Sequence, residues 1–280
     1  MAALCASAAQ QIPAPVNVQA RQVTSLNGQW KYFFDRQEMG YYDYSKNPVK
    51  WGFFLDAKPQ RPTDLVEYSF DDSKSINVPG DWNTQDEKLY CYEGTVWYRQ
   101  KFQWTPQQGR RALLYFGAVN YIARVWVNGK KAGEHEGGFT PFCFDVTDLV
   151  KDGENTVVVM VNNERRKENI PTRVFDWWNY GGITRDVMMI SAPETYIEDY
   201  TVQLAKGSVR NGSVAARKGT ACMIDATVKL SAKKAGVALT LNIPELKIKK
   251  TITTDDNGEA KISLKAKPQL WSPGILSSTR

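Results

Sequence analysis

From Ser25 onward the hydrophobic residues come in short blocks with a period of two, not the 3.6 of a helix. Tyr121–Val127 shows this most clearly: Ile122, Arg124 and Trp126 share one face, and Ala123, Val125 and Val127 share the other. Asn128-Gly129 follows, and both residues tolerate the positive φ of a two-residue hairpin, so a hairpin is predicted there. Strands are also predicted after the Leu26-Asn27-Gly28 turn and over Gly94–Trp104, Arg111–Phe116, Thr156–Val161 and Val187–Ser191. Asp152-Gly153 supplies a turn before the nearly all β-branched Thr156–Val161. Residues 36–75 have little period and predict a long loop, and Val78–Asn83 predicts a turn cluster. The expected fold class is all-β, with a jelly-roll sandwich over residues 20–192.

Pro193 marks a change of composition to Lys, Thr and Val. Five strands are predicted, over Ile197–Leu204, Ala221–Leu230, Val237–Ile243, Leu246–Thr253 and Ala260–Leu264. They suit an immunoglobulin-like β-sandwich over residues 193–280. Such a domain takes about 100 residues and about seven strands, and roughly 85 residues remain, so it is expected to be incomplete.

Composition narrows the function classes. The net charge of +6 comes from scattered Lys and Arg in short runs such as Lys247–Lys250 and Arg165–Lys167. No nucleic-acid motif accompanies them, so a solvated basic face is expected and no nucleic-acid partner. His135 is the sole histidine, and no Gly-x-Ser-x-Gly, Cys-x-x-Cys or His-Glu-x-x-His spacing occurs. Neither a serine-hydrolase elbow, a metal site nor a cofactor is therefore expected. Cys5, Cys91, Cys143 and Cys222 are too widely spaced to read as a disulfide framework. Nine Trp suit either a packed β core or sugar stacking. Residues 1–9 resemble the end of a secretory signal peptide, with Ala6-Ser7-Ala8 as cleavage site and a periplasmic or secreted location as consequence. No run approaches the ~20 apolar residues of a membrane helix.

An ordered set of segments then carries a resemblance. In chain order it comprises Leu26-Asn27-Gly28-Gln29-Trp30, Val78-Pro79-Gly80-Asp81-Trp82-Asn83, Gly94–Arg99, Val125-Trp126-Val127-Asn128-Gly129, Glu134–Phe142, Asp145-Val146-Thr147, Val161–Glu164, Ile170-Pro171 and Phe175–Arg185. Together they resemble the N-terminal region of glycoside hydrolase family 2, nearest its β-glucuronidase branch, with β-galactosidases as the other possibility. The resemblance implies a sugar-binding jelly roll, an immunoglobulin-like domain, and a (β/α)₈ barrel holding the acid/base and nucleophile Glu. That barrel is absent from residues 1–280, so this chain is expected to be inactive alone. Ile275–Arg280 departs from the family pattern, and a frameshift or premature stop after Gly274 would account for it. Full-length relatives are expected to be homo-oligomers.

Within Phe175–Tyr180 the candidate substrate-binding residues are Asp176, Trp177, Asn179 and Tyr180. A carboxylate and an amide can bond sugar hydroxyls while aromatic faces stack on the ring. The resemblance implies that Asp176 projects into the barrel's active site; an Asx turn supporting a Trp-rich corner is the bland alternative. The expected ligand is a β-glucuronide or β-galactoside. His135 is expected to bond a neighbouring carboxylate, Asn162–Glu164 to hold the loop carrying Ile170-Pro171, and Arg185 to pair with an acid. A free-standing carbohydrate-binding module and a structural β-sandwich adhesin are the competing readings; the ordered motifs disfavour the adhesin.

Overall fold

A computed structural model describes residues 11–43, 45–48, 69–206 and 221–268. The expectations for residues 1–9 and 275–280 lie outside these. The chain divides into two compact units between Glu194 and Thr195.

Two antiparallel sheets form the first unit. One runs Gln11–Ile12, Phe142–Asp145, Arg110–Phe116, Val187–Pro193, Gln22–Ser25. The other runs Lys130–Glu136, Ile122–Val127, Gly153–Asn162, Thr95–Trp104, Gly28–Asp35, Lys74–Val78. Their facing sides share one core: Leu114, Phe116, Phe142, Phe144 and Met189 meet Trp30, Val96, Tyr98, Val125 and Val159. The chain is thus all-β and of the sandwich class. The predicted hairpin is present, with Asn128 and Gly129 at φ 50° and 77° between the paired strands.

Thr156–Val161 lacks alternation because both faces of its strand are covered. Val157, Val159 and Val161 enter the main core, whereas Val158 and Met160 face a second cluster with Trp97 and Trp126. Tyr41 and Phe70 cover that cluster, so part of the aperiodic stretch after Asp35 is core rather than idle loop. Buried Asp35 folds it over, accepting bonds from Trp97 Nε1 at 3.1 Å and from the Met39 and Gly40 N–H groups. A paired acceptor is what makes a buried carboxylate tolerable. Residues 44 and 49–68 of the predicted loop lie outside the described residues, and the strand after it starts at Lys74, inside the predicted span. Lys74–Val78 is a strand whose Ile76 and Val78 point into the core, but five residues give only two apolar positions to show the alternation.

In the second unit, Ile197–Leu204, Cys222–Leu230 and Glu259–Ala266 make a three-stranded antiparallel sheet. Ala238–Ile243 and Ile248–Thr253 form a hairpin around the 3₁₀ turn Pro244–Leu246. Leu246, predicted to start the last hairpin strand, belongs to that turn, and Lys247 follows at φ 54°.

Candidate functional site

A third, small sheet joins Gly80–Asp81, Gly182–Ile183 and Val119–Asn120 at one end of the sandwich. Between Asn162 and Gly182 the chain makes a long excursion without strands, and side-chain amides fix its base. Asn163 Nδ2 donates to the Asn179 carbonyl at 2.9 Å, and Asn179 Nδ2 donates to the Asn163 carbonyl at 2.6 Å. Asn163 Oδ1 accepts from the Gly94 N–H, and Asn162 Nδ2 reaches Thr95 Oγ1 and Glu38 Oε1, each at 2.9 Å. Asn169 Nδ2 bonds the Glu164 carbonyl, and Tyr121 Oη accepts from the Ile170 N–H. The expected bracing role of Asn162–Glu164 is what these bonds perform.

Gly181 shows why the sequence needs no side chain at the return. A Cβ there would lie 2.0 Å from the buried Trp82 ring, and the Gly181 N–H is received by Asn83 Oδ1 at 2.9 Å. Gly138 makes room in the same way: its Cβ would meet Asn120 Oδ1 at 2.4 Å.

These elements enclose a cleft of about 330 Å³. Of the four predicted residues, Trp177, Asn179 and Tyr180 line it, together with Trp178, Phe139, Arg165, Asn169 and Arg185. Asp176 does not line it; it is exposed on the same loop and has no bonding partner among the described residues, so it forms no Asx turn. Asn179 is half-buried and its amide is turned inward on Asn163 and Asn120. Trp177 and Tyr180 keep 58% and 48% of their surface exposed, Trp178 keeps 40%, and no core claims these rings. Trp178 sits 5.0 Å from Tyr90 and 6.5 Å from Tyr180, centroid to centroid. Trp177 packs at 5.0 Å on Phe175, whose other contact is the Arg165 guanidinium at 4.4 Å. Asn169 contributes a buried Oδ1 with no donor among the described residues.

The expected partners of two residues are different ones. His135 lies in the strand Lys130–Glu136 and bonds Thr140 Oγ1 at 3.1 Å, not a carboxylate, while stacking on Phe142 at 4.2 Å. Burial lowers its pKa, the Gly137 backbone bond and the Glu136 charge opposing. Arg185 meets no acid among the described residues and donates to the Phe139 carbonyl at 3.3 Å. Aromatic spacing alone pointed to Trp177 and Tyr180. Phe139 and Arg185 lie in segments of the ordered motif set without a predicted ligand role, and Asn169 lies outside that set.

No group of three or more His, Cys, Asp or Glu side chains that could hold a metal occurs among the described residues. Cys143 and Cys222 are buried, and Cys91 is exposed. No described helix is long and apolar enough to cross a membrane.

Residues 23–193 match the family model for the glycosyl hydrolases family 2 sugar binding domain. The chain belongs to glycosyl hydrolase family 2. A β-glucuronidase of Bacteroides fragilis is 40% identical over 131 residues, 45% of this chain and 19% of that protein. The β-glucuronidase of Rattus norvegicus is 30% identical over 219 residues, 67% of this chain and 31% of that one. The solved structure of an uncultured Clostridium sp. β-glucuronidase is 28% identical and superimposes with a TM-score of 0.67, covering 95% of this chain and 43% of that one. The chain thus spans about a third or less of the length of the curated family 2 relatives it matches.

Proposed function

We propose that this chain is the sugar-binding, non-catalytic portion of a retaining glycoside hydrolase of the β-glucuronidase type, and that the 163–181 loop carries its ligand contacts. The observation that carries the reading is the cleft itself: exposed aromatic rings held over a closed network of amides. Exposed Trp and Tyr faces cost solvent-ordering energy that a sugar's C–H face relieves, at ~25 cal/mol per Å² of apolar surface covered. The amides fix where those rings stand before a ligand arrives, which lowers the ordering cost of binding. Asp176 is the proposed carboxylate contact to sugar hydroxyls, reaching beyond the cleft rather than into it. Retaining hydrolysis needs two carboxyl groups ~5 Å apart across the sugar, and no Asp or Glu lines the cleft among the described residues. The reaction is therefore assigned to other parts of the relatives' longer chains.

Titration of the purified chain with β-glucuronides and β-galactosides, following Trp fluorescence, tests the proposal. Saturable quenching or a blue shift is expected, lost in Trp177→Ala. A flat titration at millimolar sugar removes the sugar-contact reading. The proposal includes a periplasmic or secreted location, which rests on Ala6-Ser7-Ala8; cell fractionation with the native leader checks it.

A further inference from the structure

We infer, resting on the sugar-binding reading above, that Tyr90 and Trp178 form a second stacking platform beside the cleft, so that the ligand is a glycan chain of at least two sugar residues rather than a single sugar.

The exposed rings outnumber what one sugar can cover. A pyranose has two faces, and Phe139, Trp177, Trp178 and Tyr180 already line the cleft. Tyr90 lies outside that lining and is 58% exposed. The buried side chain of its segment is the neighbouring Leu89, which enters the main core. The Tyr90 ring meets Trp178 at 5.0 Å and 48°, and Trp178 meets Tyr180 at 6.5 Å and 41°. Tyr90, Trp178 and Tyr180 therefore make one continuous aromatic ridge that leaves the cleft at Trp178.

The ridge is built from two segments that buried groups lock together. Tyr90 follows the 3₁₀ turn Glu87–Leu89, whereas Trp178 belongs to the 163–181 loop. Asn83 is buried and bonds both: its Nδ2 donates to the Leu89 and Tyr90 carbonyls at 2.9 and 3.2 Å, and its Oδ1 accepts from the Gly181 N–H at 2.9 Å. Trp82 repeats the tie, with its backbone N–H on the Gly181 carbonyl at 2.9 Å and its Nε1 on the Tyr92 carbonyl at 3.2 Å. Both backbones are thus fixed before a ligand arrives, which lowers the ordering cost of binding. Rings held in water on a fixed support suit the C–H face of a sugar. The residue joined to a sugar in the cleft is the one that meets Trp178 and Tyr90.

Calorimetric titration of the full chain tests this by comparing a methyl β-glycoside with the β-linked disaccharide of the same sugar, in a glucuronic acid series and in a galactose series. In the series that binds, the disaccharide is expected to be about tenfold tighter. That advantage is expected to vanish in Tyr90→Ala and to persist in Tyr90→Phe, which keeps the ring. Circular dichroism establishes that the variants are folded; if Tyr90→Ala is not, the comparison of the two ligand lengths on the unaltered chain still decides. Equal affinity for one and two residues, or an advantage that survives in folded Tyr90→Ala, overturns the inference and leaves the sugar reading standing. A phenyl β-glycoside that gains affinity where the disaccharide gains none also overturns it, and assigns the platform to an apolar aglycone. Binding of no glycoside in either series overturns both.

Discussion

Asn163 and Asn179 hold each other across the base of the cleft, each donating its side-chain amide to the other's carbonyl, at 2.9 and 2.6 Å. Sixteen residues separate them in the chain, so this pair closes the aromatic loop as a ring. Asn163→Ala leaves the Asn179 carbonyl and the Gly94 N–H without their partners, which costs about 1–3 kcal/mol each where buried. We expect a lowered melting temperature together with red-shifted Trp emission as the loop loosens. An unchanged emission spectrum would show that the rings are held by something else.

Gly181 has no tolerance for a side chain. Gly181→Ala places a methyl group within the Trp82 ring, an overpacking that typically costs about 1–3 kcal/mol. Urea denaturation is the check: the midpoint should fall while the slope stays constant.

Trp177 and Trp30 separate function from stability. Trp30 is fully buried in the main core and its Nε1 donates to the Leu26 carbonyl at 2.7 Å. Trp30→Ala should therefore cost about 3–5 kcal/mol. Trp177→Ala, at an exposed ring, should leave the melting temperature within a degree or two and abolish the response to sugar. A large loss of stability in Trp177→Ala would make that ring part of the core.

Asp86 gives the fold an acid limit. The Tyr32 hydroxyl bonds its carboxylate, burial opposes this, and the Lys88 N–H and the Lys74 ammonium at 3.0 Å add to it, together lowering its pKa to about 2. A carboxylate held below its unfolded value stabilises the fold fully above that value, and the contribution fades as pH falls through the folded one. Stability should thus decline from about pH 4 toward pH 2. Tyr32→Phe should raise the Asp86 pKa and shorten the decline, read by NMR titration of the carboxyl carbon. A pKa unmoved by that substitution would assign the shift to Lys74 and Lys88 instead.

How much was legible in the sequence follows from where the signals lie. Period-two alternation is local, so Ile122–Val127 and its Asn128-Gly129 turn could be placed directly. Val158 and Met160 could be assigned to a strand but not to a second core, because the residues covering them, Tyr41 and Phe70, sit in a stretch with no period of its own. His135 looked like a loop residue beside two acids; the sheet instead sets it against Thr140 and Phe142. In the cleft, the aromatic run announced Trp177 and Tyr180, whereas the bonds that Asn179 makes to Asn163 and Asn120 could not be read from it.

By itself, then, the sequence determined the all-β class, the hairpin chemistry and the membership carried by an ordered set of short segments, since each depends on residues near one another in the chain. Only the tertiary structure decided that Asp176 stands outside the cleft, that Asn163 and Asn179 close the loop, and that Arg165 is balanced by Glu93. Those outcomes depend on which distant side chains satisfy one another first, and a buried amide or an ion pair is spent wherever the fold brings it a partner.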